Sequence, residues 1–182
     1  MTVTGHDPIK SLIGTAEPPD LGPGPREGVD SESELERKLK SFFLEQGLPV
    51  QKQQLVRALA LLWHDHLDTA HNIAQDLETP DGSFVHAIMH RREPDYANAK
   101  YWFRRVGKHP AFVPIATGAT VLLNGERNQE LRQQLLPGGE WDPFAFVDSC
   151  QQAARGPEAQ RNLLREIQRT ETEAFLNWIL AR

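Results

Sequence analysis

The sequence lacks the features that mark several classes of protein. Its 182 residues include a single cysteine, Cys150, which excludes an internal disulfide framework and favours a reducing compartment. No uninterrupted apolar run is long enough to cross a bilayer, and no charged-then-apolar leader opens the chain. These absences predict a soluble, cytoplasmic protein that makes no membrane contact.

The chain also lacks an excess of basic residues and the alternation typical of strands. Its net charge is −5 at pH 7 and its isoelectric point is about 5.8, which argues against a general nucleic-acid binder. Apolar residues recur at spacings of three and four, as amphipathic helices require. We therefore predict an all-α fold, a single-domain bundle of six or seven helices.

The N-terminal part of the chain differs in composition from the rest. Pro18-Pro19 and the LGPGP run at 21–25 interrupt any helix, so residues 1–30 are predicted to form an extended arm and residues 31–182 a helical domain. The arm is expected to stabilise the body as a strap, in preference to covering a groove. The residues expected to attach it are apolar: Ile9, Leu12, Ile13 and Leu21.

Capping signals indicate where most helices begin. Ser31 and Glu34 have the spacing of a capping box, and Asp95 is placed to cap a later helix. In Asp142-Pro143 the aspartate caps while the proline takes the first helical position. A strand is the alternative for one apolar segment, residues 111–123. The helices predicted outside the histidine region cover residues 32–46, 96–106, 111–123, 143–154 and 158–180.

Six of the seven histidines lie between Trp63 and Pro110. A helix predicted over residues 55–78 would place His64, Asp68 and His71 on one face, because their spacings are four and three. A second helix, from about residue 84 to 92, would carry His86 and His90 one turn apart. If the two helices form an antiparallel pair, four imidazoles and a carboxylate converge.

Two interpretations of this histidine cluster stand side by side. Neutral imidazoles and carboxylates are the usual ligands of zinc and other divalent transition metals. In the alternative, the histidines bond to one another or to backbone carbonyls in the interior. The sequence contains no HExxH motif, and HxxxH by itself is a weak signal. The proposed metal ligands are His64, Asp68, His71, His86 and His90.

The segment from Arg91 to Lys108 contains six basic residues and only two acidic ones, Glu93 and Asp95. Arginine forks bind carboxylates and phosphates, so this excess predicts that the site binds a small anionic substrate. Pairing with neighbouring acidic residues is the alternative. The residues assigned to substrate binding are Arg91, Asn98, Tyr101, Arg104 and Arg105.

Glu171 falls on the inward-facing stripe of the last predicted helix. A buried carboxylate needs a partner or a shifted pKa. It could complete the histidine cluster as a ligand or general base, or pair with Arg104 or Arg105, and the pairing is favoured. Cys150 lies on the apolar side of its helix with no histidine near it in sequence, which predicts inert packing.

Two blocks of the sequence resemble an uncharacterised microbial protein family. The first is HRREPDYANAKYWFRRVGKHP, residues 90–110, and the second is WDPFAFVD, residues 141–148. The resemblance covers roughly residues 60–182. It implies a common fold and a common site, and it brings no activity or metal with it.

Two functional hypotheses follow from these patterns. The first is a metal-dependent or general acid/base hydrolase that acts on a small anionic substrate, with His86, His90 and Glu171 as the catalytic residues and zinc as a candidate cofactor. The second is a non-catalytic helical module that binds a small ligand or a partner protein, in which the histidines are structural.

Overall fold

The computed structural model describes residues 8–181, and all regular secondary structure in that range is helical. The all-α prediction is therefore confirmed. None of these helices is long and apolar enough to cross a membrane. The α-helices are α1 (Lys10–Ile13), α2 (Glu32–Gln46), α3 (Val50–Trp63), α4 (Leu67–Ala74), α5 (Pro80–Arg92), α6 (Tyr96–Val106), α7 (Phe112–Leu122), α8 (Gln129–Leu135), α9 (Pro143–Ala153) and α10 (Glu158–Leu180), with short 3-10 helices at Glu126–Asn128 and Pro137–Gly139.

The prediction of six or seven helices is wrong, and one cause is a break in the helix predicted over residues 55–78. The α3 helix ends at Trp63 and α4 begins at Leu67. Between them Asp65 has a φ of +67°, a left-handed conformation that a continuing helix cannot contain. The break separates His64 from the face of α4, so the predicted histidine face is divided between two helices.

The N-terminal segment, residues 8–30, is not the extended arm that its composition predicts. It opens with α1 and then runs against the helices. The indole Nε1–H of Trp63 donates to Thr15 Oγ1 at 2.8 Å, and Gln168 Nε2 donates to the Pro19 carbonyl at 3.0 Å. The first seven residues of the predicted arm lie outside the described residues. The predicted attachment is confirmed, because the apolar residues expected to make it are all buried: Ile9, Leu12, Ile13 and Leu21.

The α5 helix forms the centre of the fold. Every residue from Gly82 to Arg92 is buried. The Phe84 ring stacks on Phe175 of α10, with centroids 4.3 Å apart, and meets Phe103 of α6 edge-on at 5.6 Å. Aromatic pairs in these arrangements add to the stabilisation that burial provides. The helix that carries two of the predicted site histidines is therefore packed on all sides.

Most predicted helix boundaries are confirmed. The Ser31–Glu34 capping box is present, and the side chains of Asp95 and Asp142 accept from backbone N–H groups at the starts of α6 and α9. Segment 111–123 is helical, so the strand alternative is wrong. The start of α5 differs from the prediction. Thr79 caps it by accepting from the Gly82 N–H at 3.0 Å, so the helix begins at Pro80 and not near residue 84.

Gly118 allows α7 to approach α10 closely. A Cβ atom at this position would lie 2.4 Å from Cγ2 of Thr170. We expect Gly118→Ala to lower the free energy of unfolding by about 1–3 kcal/mol, the usual cost of overpacking, although alanine favours helices by about 1 kcal/mol over glycine. Urea denaturation measures the change. Adding Thr170→Ser removes Cγ2 and should restore the lost stability. A Gly118→Ala protein as stable as the wild type would contradict the close approach of α7 to α10.

Candidate functional site

Three imidazoles, from His71 on α4 and from His86 and His90 on α5, lie together. The centroid of the His71 ring is 5.3 Å from that of His86 and 5.4 Å from that of His90, and it meets both rings edge-on. The rings of His86 and His90 are nearly parallel, with centroids 5.9 Å apart. His86 and His90 are buried and His71 is half-buried, so His71 lies at the solvent side. We call this group the histidine cluster.

His64 and Asp68 do not join the histidine cluster. His64 accepts a hydrogen bond from the Asp30 N–H at its Nδ1 (2.9 Å), so its Nε2 carries the proton and donates to the Leu12 carbonyl at 2.9 Å. Burial lowers the pKa of His64. The Asp68 side chain is exposed. The break at Asp65 directs His64 away from α4. The two hydrogen bonds of its ring therefore connect the N-terminal segment to the end of α3.

The predicted metal ligands are not assembled. Within residues 8–181, no group of three or more His, Cys, Asp or Glu side chains is arranged to hold a metal ion. The donor set in the histidine cluster therefore does not fit a metal centre.

His90 is oriented by Glu93, one turn further along the chain. Its Nδ1 lies 3.2 Å from Oε2 of Glu93, and because a carboxylate only accepts, Nδ1 carries the proton and Nε2 has the lone pair. The amide nitrogen of Asn98 is 3.1 Å from Nε2 and 3.4 Å from Nδ1. At those distances an in-plane position would overlap the Cε1–H group, so the amide lies against the ring face. Nε2 of His90 thus carries a lone pair and lies within hydrogen-bond distance of the Asn98 amide.

His86 is neutral and stacked on Trp102. The ring centroids are 4.0 Å apart and the planes differ by 6°. Burial, followed by the charges of His71 and His90, lowers the pKa of His86 to about 4, against a smaller opposing effect of the Gly82 carbonyl. Its Nδ1 is buried and has no hydrogen-bond partner in the described part of the chain. Burial also lowers the pKa of His90, against the opposing charge of Glu93.

These shifts predict a loss of stability in mild acid. The unfolded chain protonates His86 near its ordinary pKa of 6.5, whereas the folded protein resists protonation until about pH 4. The contribution of neutral, buried His86 to the free energy of unfolding is therefore complete above pH 6.5 and is lost as the pH falls towards 4. His86→Gln should reduce the difference between urea midpoints measured at pH 7.5 and pH 4.5. His64 and His90 remain in both proteins, so an unchanged difference would contradict the shift assigned to His86.

Arg91 and Glu171 lie away from the histidine cluster and bind each other. Both side chains are 0% exposed, and Arg91 Nη1 donates to Glu171 Oε1 at 3.0 Å while Nη2 contacts Oε2. The favoured pairing of Glu171 with Arg104 or Arg105 is therefore wrong. Arg91 is closed off from any ligand in solution, and Glu171 faces its guanidinium instead of an imidazole.

The other predicted substrate-binding residues lie on α6, beside the histidine cluster. Arg104, Arg105 and Tyr101 are exposed. The Arg105 guanidinium carbon lies 5.3 Å from the centroid of Trp102, and the Tyr101 ring meets Trp102 edge-on at 5.4 Å. Neither Arg104 nor Arg105 forms an ion pair with a carboxylate among the residues that the structure describes. Arg105 thus stands beside Trp102, which stacks on His86, and its charge is available to an anion, whereas no such contact among the described residues places Arg104 at the cluster.

Glu93 and Trp102 belong to the site, although the sequence patterns point to neither of them as a site residue. Both had a signal in the spacing. Glu93 follows His90 by three residues, and Trp102 follows Asn98 by four, so each shares a helix face with a residue that was chosen. The usual roles of these two residue types favour other interpretations. A tryptophan on an amphipathic helix usually belongs to the hydrophobic core, and an acidic residue near arginines usually forms a salt bridge.

Comparison of the chain with protein-family models, curated proteins and solved structures finds no match. The resemblance carried by the two sequence blocks therefore stays a prediction. The functional argument rests on the geometry of the histidine cluster and its neighbours.

Proposed function

We propose that the histidine cluster, with Glu93, is a general acid–base site that hydrolyses a small anionic substrate. The observation that carries the proposal is the state of His90. It is buried and neutral, its Nδ1–H points to Glu93 at 3.2 Å, and its Nε2 carries the lone pair, with the Asn98 amide 3.1 Å away. An imidazole oriented by a carboxylate, with a lone pair on its other nitrogen, is the arrangement of a general base.

In this proposal a water molecule gives a proton to Nε2 of His90 while its oxygen attacks the electrophilic centre of the substrate. The bond to the leaving group then breaks, and the His90 imidazolium returns the proton to it. Glu93 stabilises the imidazolium and holds the ring in the correct tautomer. Glu93 is therefore a positioning residue, and His90 is the catalytic residue.

The negative charge of the proposed substrate is inferred from the exposed basic residues of α6. Arg105 is an exposed cation beside Trp102, Arg104 is exposed on the same helix, and guanidinium groups suit carboxylate, phosphate or sulfate oxygens. His71, half-buried at the solvent side, would be the first imidazole to meet an entering ligand. The metal-dependent version of the hydrolase hypothesis has no assembled ligand set to support it, so the proposed reaction uses the chain's own residues.

Hydrolysis of anionic 4-nitrophenyl esters tests this proposal. The phosphate, sulfate and hydrogen succinate esters are assayed with the wild type and with His90→Gln, which should lower kcat/KM by about 100-fold or more, the usual share of a general base. Glu93→Gln should lower kcat and change the pH profile, while Arg105→Ala should raise KM. EDTA should leave the rate unchanged.

His66→Gln is the matched control for His90→Gln. His66 is half-buried and its Nε2 lies 2.8 Å from the Asp30 carbonyl, outside the histidine cluster, so its loss should leave the rate unchanged. The proposal fails if the wild type turns over none of the three esters, or if His90→Gln is as active as the wild type.

A further inference from the structure

A basic surface lies where α2 packs against α3, and it shares no residue with the histidine cluster. Between residues 36 and 57 the chain has five basic residues and only two acidic ones, although its net charge is −5. The surface contains a concave region of about 550 Å³, which we call the α2–α3 depression. Its lining includes Glu36, Arg37, Lys40, Phe43, Leu44 and Arg57.

Two cations of the α2–α3 depression have no ion-pair partner among residues 8–181. Arg57 Nε lies 2.9 Å from Glu36 Oε1, whereas neither Arg37 nor Lys40 forms an ion pair with a described carboxylate. Both side chains are exposed. They lie on the same face of α2, because their spacing is three. Two uncompensated positive charges therefore border the depression and attract carboxylates.

The same face of α2 ends in an exposed apolar side chain. Leu44 follows Lys40 by four residues and is 77% exposed, and Val50, the first residue of α3, is 64% exposed. The Phe43 ring forms part of the lining, with the Arg57 guanidinium carbon 5.7 Å from its centroid. Exposed aliphatic side chains bordered by cations suit a partner that combines apolar and acidic groups.

A lipid bilayer and a nucleic acid each match only part of this surface. The apolar stripe of α2 is buried against the body, so the helix cannot insert that stripe among lipid tails. A nucleic acid would use the cations for its phosphates, but its bases stack on aromatic side chains, and the exposed apolar residues here are Leu44 and Val50. A protein segment can use both the charges and the aliphatic groups.

We propose that the α2–α3 depression binds an acidic segment of another protein. An apolar side chain of this segment packs beside Leu44, and its carboxylates lie beside Arg37 and Lys40. Charge complementarity determines the sign of the partner. Because the rest of the chain is acidic, it repels such a segment elsewhere and directs it to the basic surface.

A peptide built from Glu-Glu-Leu-Glu repeats tests the proposal. Its binding to the full chain is measured by protein-observed NMR titration, and the amide shifts should concentrate in α2 and α3. A Gln-Gln-Leu-Gln peptide lacks the charges, and a Glu-Glu-Ser-Glu peptide lacks the apolar side chain. Each should bind about tenfold more weakly than the first peptide, because each loses one kind of contact. An ionic strength of about 1 M, at which the Debye length is about 3 Å, should also weaken binding.

Variants of the surface show where the peptide binds. Arg37→Glu combined with Lys40→Glu should weaken binding about tenfold or more, and Leu44→Ser about three- to tenfold. All three side chains are exposed, so the fold should tolerate these substitutions. Arg127→Glu combined with Arg132→Glu is the matched control. It changes the net charge equally at two exposed residues, one just before α8 and one within it, and should bind as the wild type does.

The proposal is overturned if the acidic peptide does not bind in a saturable manner, if either altered peptide binds equally well, or if the α2 double variant binds as the wild type does. Shifts confined to other helices would also overturn it. Binding to phosphatidylserine vesicles without binding to the peptide would identify a lipid surface as the partner instead. A dimer in sedimentation experiments that the α2 double variant abolishes would identify a second copy as the occupant and would equally contradict the proposal.

Discussion

Replacing Arg91 with methionine is expected to lower the free energy of unfolding by about 3–5 kcal/mol, the usual cost of leaving one charge of a buried pair alone. Both partners are 0% exposed, so Glu171 would keep a charge that neither water nor a guanidinium compensates. Arg91 also donates to Gln168 Oε1 at 3.3 Å, and its guanidinium carbon lies 4.4 Å from the centroid of Phe146. Urea denaturation at pH 7 measures the change.

The double variant Arg91→Met with Glu171→Leu separates the pair from its surroundings. Removing both charges leaves no unpaired group, and apolar replacement of a buried ion pair is often neutral. The double variant should therefore be more stable than either single variant, and the double-mutant cycle should give a coupling energy of about 2–3 kcal/mol. Additive losses would contradict a specific pair.

Arg57→Met is the matched control for Arg91→Met. Arg57 Nε lies 2.9 Å from Glu36 Oε1, but the two side chains are 25% and 47% exposed. An ion pair that water reaches contributes about 0–1 kcal/mol, so the same substitution should cost far less here. A loss at Arg57 as large as at Arg91 would show that the side-chain volume, and not the buried charge, determines the effect.

The parts of the fold that the sequence predicts well are those with a local cause. The capping box at Ser31 and the aspartate caps at Asp95 and Asp142 depend on residues within three positions, so the starts of α2, α6 and α9 agree with prediction. The approach of His71 to the α5 histidines has a similar cause, because a connection of five residues joins α4 to α5 and short connections favour antiparallel neighbours.

Contacts between residues far apart in the chain were not predictable in the same way. The periodicity of the apolar residues predicts that Glu171 lies on the buried face of α10. Its partner, Arg91, lies 80 positions away, and the sequence does not distinguish this arginine from the others. The helix break at Asp65 has the same origin. Nothing in WHDHLD requires a left-handed residue, and the reason for it is contact with Arg26 and Arg92, which are 39 and 27 positions away.

Composition misled the prediction of an extended arm for a related reason. Proline and glycine indicate where helices cannot form, but they do not indicate whether an irregular segment finds partners. Arg26 in the N-terminal segment supplies several contacts at once. Its backbone N–H donates to Asp65 Oδ2 at 2.9 Å and its Nη1 to the Glu17 carbonyl at 2.6 Å. One residue therefore connects two parts of the segment to the loop between α3 and α4.

Asp65→Asn is expected to lower the free energy of unfolding by about 3 kcal/mol, within the range for breaking a buried ion pair. The Asp65 carboxylate meets two guanidinium groups. Arg92 Nη2 donates to Oδ1 at 2.6 Å, with both side chains almost fully buried, and Arg26 Nε lies 3.2 Å from Oδ2. Asparagine tolerates the left-handed conformation of this position, so the substitution removes the charge and leaves the backbone.

Loss of the Asp65 charge should also loosen the N-terminal segment, because Arg26 would lose its ion-pair partner. Limited trypsin digestion under native conditions should therefore cut after Arg26 sooner in Asp65→Asn than in the wild type. Asp148→Asn is the matched control. It removes the partner of Lys100 from a pair whose side chains are 29% and 46% exposed, and it should change neither the stability by more than about 1 kcal/mol nor the cleavage after Arg26. If Asp65→Asn is as stable and as resistant as Asp148→Asn, the carboxylate does not hold the segment, and the left-handed turn must be maintained by the backbone contacts of residues 8–30 alone.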